Sequence, residues 1–79
     1  MNWSKQNGIE LVYTTMGEIV RILGIDPGTR FTGIGIIDKI GNRLKFIHSE
    51  TIVTVDLKKI EDRLERIYLR IKEIGDQYN

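Results

Sequence analysis

Apolar residues run nearly without a break from Ile19 to Ile25, as IVRILGI, and then the pattern changes. A run of this kind and length predicts a strand covered on both faces, because a strand with one face in water alternates. After Asp26 the residues PGTR predict a turn: Pro27 presets one backbone angle and Gly28 can adopt a positive φ. The next stretch, FTGIGIID, alternates, with Phe31, Gly33, Gly35 and Ile37 on one face and Thr32, Ile34, Ile36 and Asp38 on the other. Glycine weakens a strand interior, so two on one face imply that something packs closely there. Gly41-Asn42 is a hairpin signal, and a third strand follows from about Leu44 to Val55. The polar break at His48–Glu50 predicts a bend or bulge midway along it.

The period then lengthens. Leu57, Ile60, Leu64, Ile67, Ile71 and Ile74 fall three and four apart, which predicts a helix with one apolar stripe, packed on the sheet. Asp56 reads as its N-cap, Gly75 as its C-cap, and Asp62 to Arg66 as a favourable pair four apart. The pattern lasts under three heptads, too short for a coiled-coil seam. Residues 1–18 are the least organised part. Ile9, Leu11, Val12 and Tyr13 suit a short strand, bounded by Asn7-Gly8 and Thr14-Thr15. Met16 stands just before the strong pattern, so residues 1–15 are either a genuine extension or lie ahead of the true start. The division is therefore an N-terminal extension, 1–18, and an α/β unit, 19–79, made of a three-stranded antiparallel meander followed by one helix.

Composition narrows the function classes. The chain has 79 residues, enough for one small domain or a piece of a larger one, and no cysteine, which excludes disulfides and thiolate metal sites. With 41% hydrophobic and 29% charged residues it reads as an ordinary globular chain. A net charge of +1 does not by itself point to nucleic acid. No segment has the apolar length of a membrane span or the layout of a secretory leader, so the expected location is cytoplasmic, with no membrane partner.

The chemistry concentrates at Asp26, a carboxylate at the end of the most apolar strand. It either caps an Asp-Pro-Gly corner or presents an oxygen ligand to a divalent cation. Mg²⁺ in particular takes one or two carboxylates with substrate phosphate and water. A ligand on a strand is held more accurately than one on a loop. The residue pattern leaves both readings open. His48, the single histidine, is assigned no role.

The run Leu23-Gly24-Ile25-Asp26-Pro27-Gly28-Thr29-Arg30, followed by Thr32-Gly33-x-Gly35 and Ile37, resembles the N-terminal motif of RuvC-type Holliday-junction resolvases. The likeness continues through the hairpin, the strand ending TIVT and the helix containing RLERIYLRI, covering roughly residues 20–75. The resemblance implies a ribonuclease H-like fold and a Mg²⁺-dependent endonuclease that nicks four-way DNA junctions symmetrically as a homodimer. It also implies association with a branch-migration helicase complex. It makes Asp26 a Mg²⁺ ligand and the first of four catalytic acids in a two-metal site. Arg30, beside that turn, is the candidate for contact with DNA phosphate.

The family's remaining acids lie downstream of the segment this chain matches. Asp38 does not substitute, because antiparallel pairing at ~3.3 Å per residue puts it about 20 Å from Asp26. Glu50 returns toward Asp26 but two strands away. The family topology also implies a fourth strand, parallel to Ile19–Ile25 and reached by a right-handed crossover, without which that strand would be a bare apolar edge. The chain therefore reads as an N-terminal fragment truncated before the fourth strand, inactive alone. Two alternatives stand beside this one. One is a fragment of an actin-like nucleotide-binding ATPase or kinase, with Asp26, Gly28 and Thr29 near phosphate. The other is a non-catalytic ribonuclease H-like module.

Overall fold

The computed structural model describes residues 2–6 (backbone only), 8–28 and 30–78. Five strands, β1 (Asn2–Gln6), β2 (Ile9–Met16), β3 (Ile19–Asp26), β4 (Phe31–Ile40) and β5 (Arg43–Val53), precede one helix, α1 (Ile60–Tyr78). They form a single antiparallel sheet in chain order, β1-β2-β3-β4-β5. The meander is thus longer than the three strands expected. The extra two come from the N-terminal extension, where the short strand read at Ile9–Tyr13 is the longer β2. Thr29, a residue of the nucleotide-binding alternative, lies outside the described residues.

Local sequence explains the reversals. Gly17 and Gly41 sit in the β2–β3 and β4–β5 turns with φ of 61° and 58°, values that L side chains adopt reluctantly and that suit two-residue hairpins. Gly28 behaves differently from expectation. It does not have a positive φ; instead a Cβ there would lie 2.3 Å from the Phe31 carbonyl oxygen, so its missing side chain is needed for close approach of the backbone.

The alternation of β4 is realised as read. Thr32, Ile34, Ile36 and Asp38 are buried, whereas Phe31, Gly33, Gly35 and Ile37 face away. Ile34 and Ile36 join Ile52 of β5 and Ile74 of α1 in the core, with Leu23, Ile47, Ile67, Ile71 and Tyr78 packed around them. The register shift in β4–β5 pairing falls opposite Ile36/Ile37 and leaves Ile47 as the extra residue, immediately ahead of the polar break at His48. One expectation fails: β3 is not covered on both faces. Ile19 to Gly24 are half-buried and only Ile25 is buried, because α1 covers one face of the sheet and no other described element covers the second.

The helix corrects four further readings. It starts at Ile60, so Asp56 is not its N-cap; Asp56 instead accepts from Arg66 (2.7 and 3.1 Å). Arg66 is therefore engaged with Asp56 rather than with Asp62. Gly75 lies inside the helix, which runs on to Tyr78. Ile60 and Leu64, counted in the apolar stripe, are exposed, while Ile67, Ile71 and Ile74 reach the core. α1 has no basic residue in its last turn. Arg21 of β3 supplies the missing cation, donating from Nη1 to the Tyr78 carbonyl at 2.6 Å.

Candidate functional site

Asp26 ends β3, exposed, with its Cα partner Gly33 on β4. It therefore shares the face of Gly33 and Gly35, away from α1. A Cβ on Gly33 would meet the Asp26 Cβ at 3.6 Å, an ordinary contact, so the glycine leaves the space beside the carboxylate open rather than relieving a clash.

The turn after Asp26 is tied down from two sides. The Thr32 hydroxyl donates to the Gly28 carbonyl at 2.7 Å and accepts from the Gly28 N–H at 3.4 Å. Thr54, the residue after β5, donates to the Arg30 carbonyl from its backbone N–H (2.8 Å) and from its hydroxyl (3.2 Å). Both threonines are almost wholly buried, at 2% and 0% exposure, so these bonds are sheltered from competing water. The chain between Asp26 and β4 is thus held by the strand that follows it and by the lead-in to α1. Sequence reading missed both threonines. The signal available for Thr32 was a polar residue on the apolar face of β4.

Arg30 is exposed within two residues of Gly28 and makes no ion pair among the described residues. Its backbone is fixed by Thr54 while its guanidinium has no hydrogen-bond partner among the described residues, an arrangement suited to meeting a phosphate from solution.

Asp38 and Glu50 do not join Asp26. Asp38 stands opposite Arg21, five positions along β3 from Asp26, about 17 Å at ~3.3 Å per residue, and on the opposite face. Its carboxylate accepts from Arg21 Nε and Nη2 at 2.7 and 2.8 Å. That hydrogen bonding holds its carboxyl below the usual range. Glu50, opposite Ile34, also faces α1. It accepts from Arg70 Nε and Nη2, both at 2.7 Å, and pairs with His48 Nε2 at 2.7 Å. The Arg70 hydrogen bond chiefly, with His48 adding, lowers its carboxyl to about 2. His48 stacks on Tyr78, with ring centroids 5.1 Å apart, and stays on the helix side. Both acids hold the helix to the sheet.

Among the described residues no group of three or more His, Cys, Asp and Glu side chains is placed to hold a metal ion. Asp26 fits as one oxygen ligand of a Mg²⁺ site, with the rest of the shell left to other groups, phosphate and water. No helix is long and apolar enough to cross a membrane.

Comparison with known proteins now bears on that carboxylate. The chain is 49% identical over 59 residues to the crossover junction endodeoxyribonuclease RuvC of Geotalea uraniireducens, covering 75% of this chain and 34% of the relative. It is 55% identical over 59 residues to that of Syntrophotalea carbinolica (75% and 37%). With that of Bartonella tribocorum the identity is 41% over 63 residues (80% and 37%). The chain thus spans about a third of the length of the curated relatives it matches. No solved structure matches it. The model of the family "Crossover junction endodeoxyribonuclease RuvC" matches residues 22–79, from within β3 to the end, including Asp26, its turn and α1. By that match the chain belongs to the RuvC crossover junction endodeoxyribonuclease family, which implies a ribonuclease H-like fold.

Proposed function

We propose that this chain forms the N-terminal part of a Mg²⁺-dependent endonuclease that resolves four-way DNA junctions by paired symmetric cuts. The observation that carries the proposal is Asp26. Within the family-matched segment it is the acid that ends a central strand, lies exposed, and borders a turn fixed by Thr32 and Thr54. In this reading Asp26 is a metal ligand and the first catalytic acid, and Arg30 contacts a backbone phosphate beside it. When bound, two Mg²⁺ ions supply water activation and stabilisation of the leaving oxygen. The protein's part is to hold Asp26 at the strand end, clear of Gly33, and to keep the turn from moving. Symmetric cutting needs two sites, so the complete protein acts as a homodimer. Association with a branch-migration helicase and action in the cytoplasm belong to the same reading.

The 79 residues alone are inactive in this proposal, since Asp38 and Glu50 are committed to arginines on the other face. The test grafts residues 20–78 into the Geotalea uraniireducens relative in place of its matching segment and assays Mg²⁺-dependent cleavage of a synthetic four-way junction. The graft is expected to cleave, and Asp26→Asn in it to lower the rate by about 10³-fold or more. Undiminished cleavage by the Asp26→Asn graft would overturn the assignment.

A further inference from the structure

The β1–β2 hairpin lies outside the family-matched segment, yet it covers the edge of the strand that carries Asp26. β2 pairs with β3 from Glu10↔Ile25 to Met16↔Ile19, antiparallel. The cover is thin: Val12 is the only residue of β2 that is buried. β3 itself is apolar enough to recruit other chains if its edge were bare.

α1 points at the same edge. It starts near the β5 side, where Arg66 donates to the Val53 carbonyl at 3.0 Å. It finishes with Tyr78 stacked on His48 of β5 and with Ile74 and Gly75 lining an apolar cleft beside Val12, Tyr13 and Leu23 of β2 and β3. Arg21 fastens that finish to β3. The relatives are about twice as long as this chain. A segment following α1 in them starts at the Arg21 end of β3, and a short connection that does not cross back leads it up beside β3. It would run parallel to β3 and finish beside Asp26. β2 runs the other way and begins beside Asp26 with Ile9 and Glu10. One edge cannot pair with both.

We propose that the β1–β2 hairpin is a displaceable cap on β3, and that the segment following α1 in the longer proteins is the occupant that displaces it. While the cap is in place β3 is shielded from other chains and the position beside Asp26 is filled by the start of β2. Release of the cap lets the site around Asp26 be completed. This rests on the reading of the chain as the first part of a longer nuclease.

The test compares the 79-residue chain with a chimaera in which residues 1–78 continue into the downstream portion of the Syntrophotalea carbinolica relative. Amide hydrogen exchange reads the pairing directly. In the 79-residue chain the amides of Ile9–Met16 that bond to β3 should be slowed about 100-fold or more, and in the chimaera less than about 10-fold, with β4 and β5 protected in both. Equal protection of Ile9–Met16 in the two proteins would overturn the proposal. Should the chimaera lack a protected β4–β5 core, a cysteine lock decides the matter. Tyr13 and Ile22 are register partners, and the native chain has no cysteine. The 79-residue Tyr13→Cys/Ile22→Cys chain, offered the downstream portion as a separate polypeptide, should bind it when reduced and at least tenfold more weakly when oxidised. Equal binding by the two forms, or no binding by the reduced one, would refute displacement. Neither readout involves cleavage, so the Asp26→Asn assay can fail while the cap stands, and the reverse.

Discussion

Removing the Asp38 carboxylate gives the sharpest test of how this small fold is held together. Asp38 is 6% exposed and takes two of Arg21's donors, while the third donor ends α1 at Tyr78. Asp38→Ala leaves a guanidinium half-sheltered beside an apolar core, with one bond to a carbonyl and none to a charge. Losing one partner of a fully buried pair costs about 3–5 kcal/mol. The Arg21 side chain keeps 25% exposure, so water recovers part of that, and about 2–3 kcal/mol is the expected loss. A chain of this size has about 4–12 kcal/mol in total. The melting temperature should therefore fall by roughly 8–24 °C, at about 4–8 °C per kcal/mol. Urea and thermal unfolding followed by far-ultraviolet circular dichroism measure both quantities. The double variant Arg21→Met/Asp38→Ala should be more stable than Asp38→Ala alone, since no charge is then stranded. A loss below about 0.5 kcal/mol for Asp38→Ala, or a double variant no better than the single one, would refute the reasoning.

Other outcomes follow from the same contacts. Glu50 falls from an ordinary 4.5 to about 2 on folding, chiefly through Arg70, so it contributes stability above the unfolded value that is lost as pH drops from about 4.5 toward 2. Glu50→Gln should flatten the acid limb of stability against pH, which acid titration at several urea concentrations would show. Gly28→Ala, with its Cβ forced to 2.3 Å from the Phe31 oxygen, should cost about 1–3 kcal/mol and shift amide resonances around residues 26–32. Thr32→Val, which keeps shape but loses the bond to Gly28, should cost about 1–2 kcal/mol, and Thr32→Ser should restore part of it, read by the same unfolding assays. In the grafted enzyme Arg30→Ala should weaken junction binding and reduce the slope of log affinity against log salt by about 1, measured by titration at several salt concentrations.

The parts of the fold legible in the sequence were those with a strict period. The alternation of Phe31–Asp38 assigned each side chain to its face because burial on one side of a pleat enforces period two, and the His48 region announced its bulge. The helix was visible from Ile67, Ile71 and Ile74, but not its ends. Asp56 looks like a cap in one dimension and is taken by Arg66 in three, and the Tyr78 carbonyl is satisfied from β3, by a partner 57 positions away. The hairpin at 2–16 was obscured because its residues mix polar and apolar without a clean period, and only pairing with β3 organises them. At the site, Asp26 stood out as a charge ending an apolar run. Thr32 and Thr54 did not, since a hydroxyl that fixes a turn looks like any other strand threonine until its acceptor is known.

β4 and β5 present Asp38, His48 and Glu50 toward α1, while Asp26 looks out from the reverse side. The two surfaces of one sheet are thereby kept apart, with the fastening of α1 on one and an exposed carboxylate on the other. Substitutions that retune the helix clamp can accumulate without passing through the Asp26 carboxylate. Alterations around Asp26 can in turn change what it meets while the anchor to α1 stays untouched.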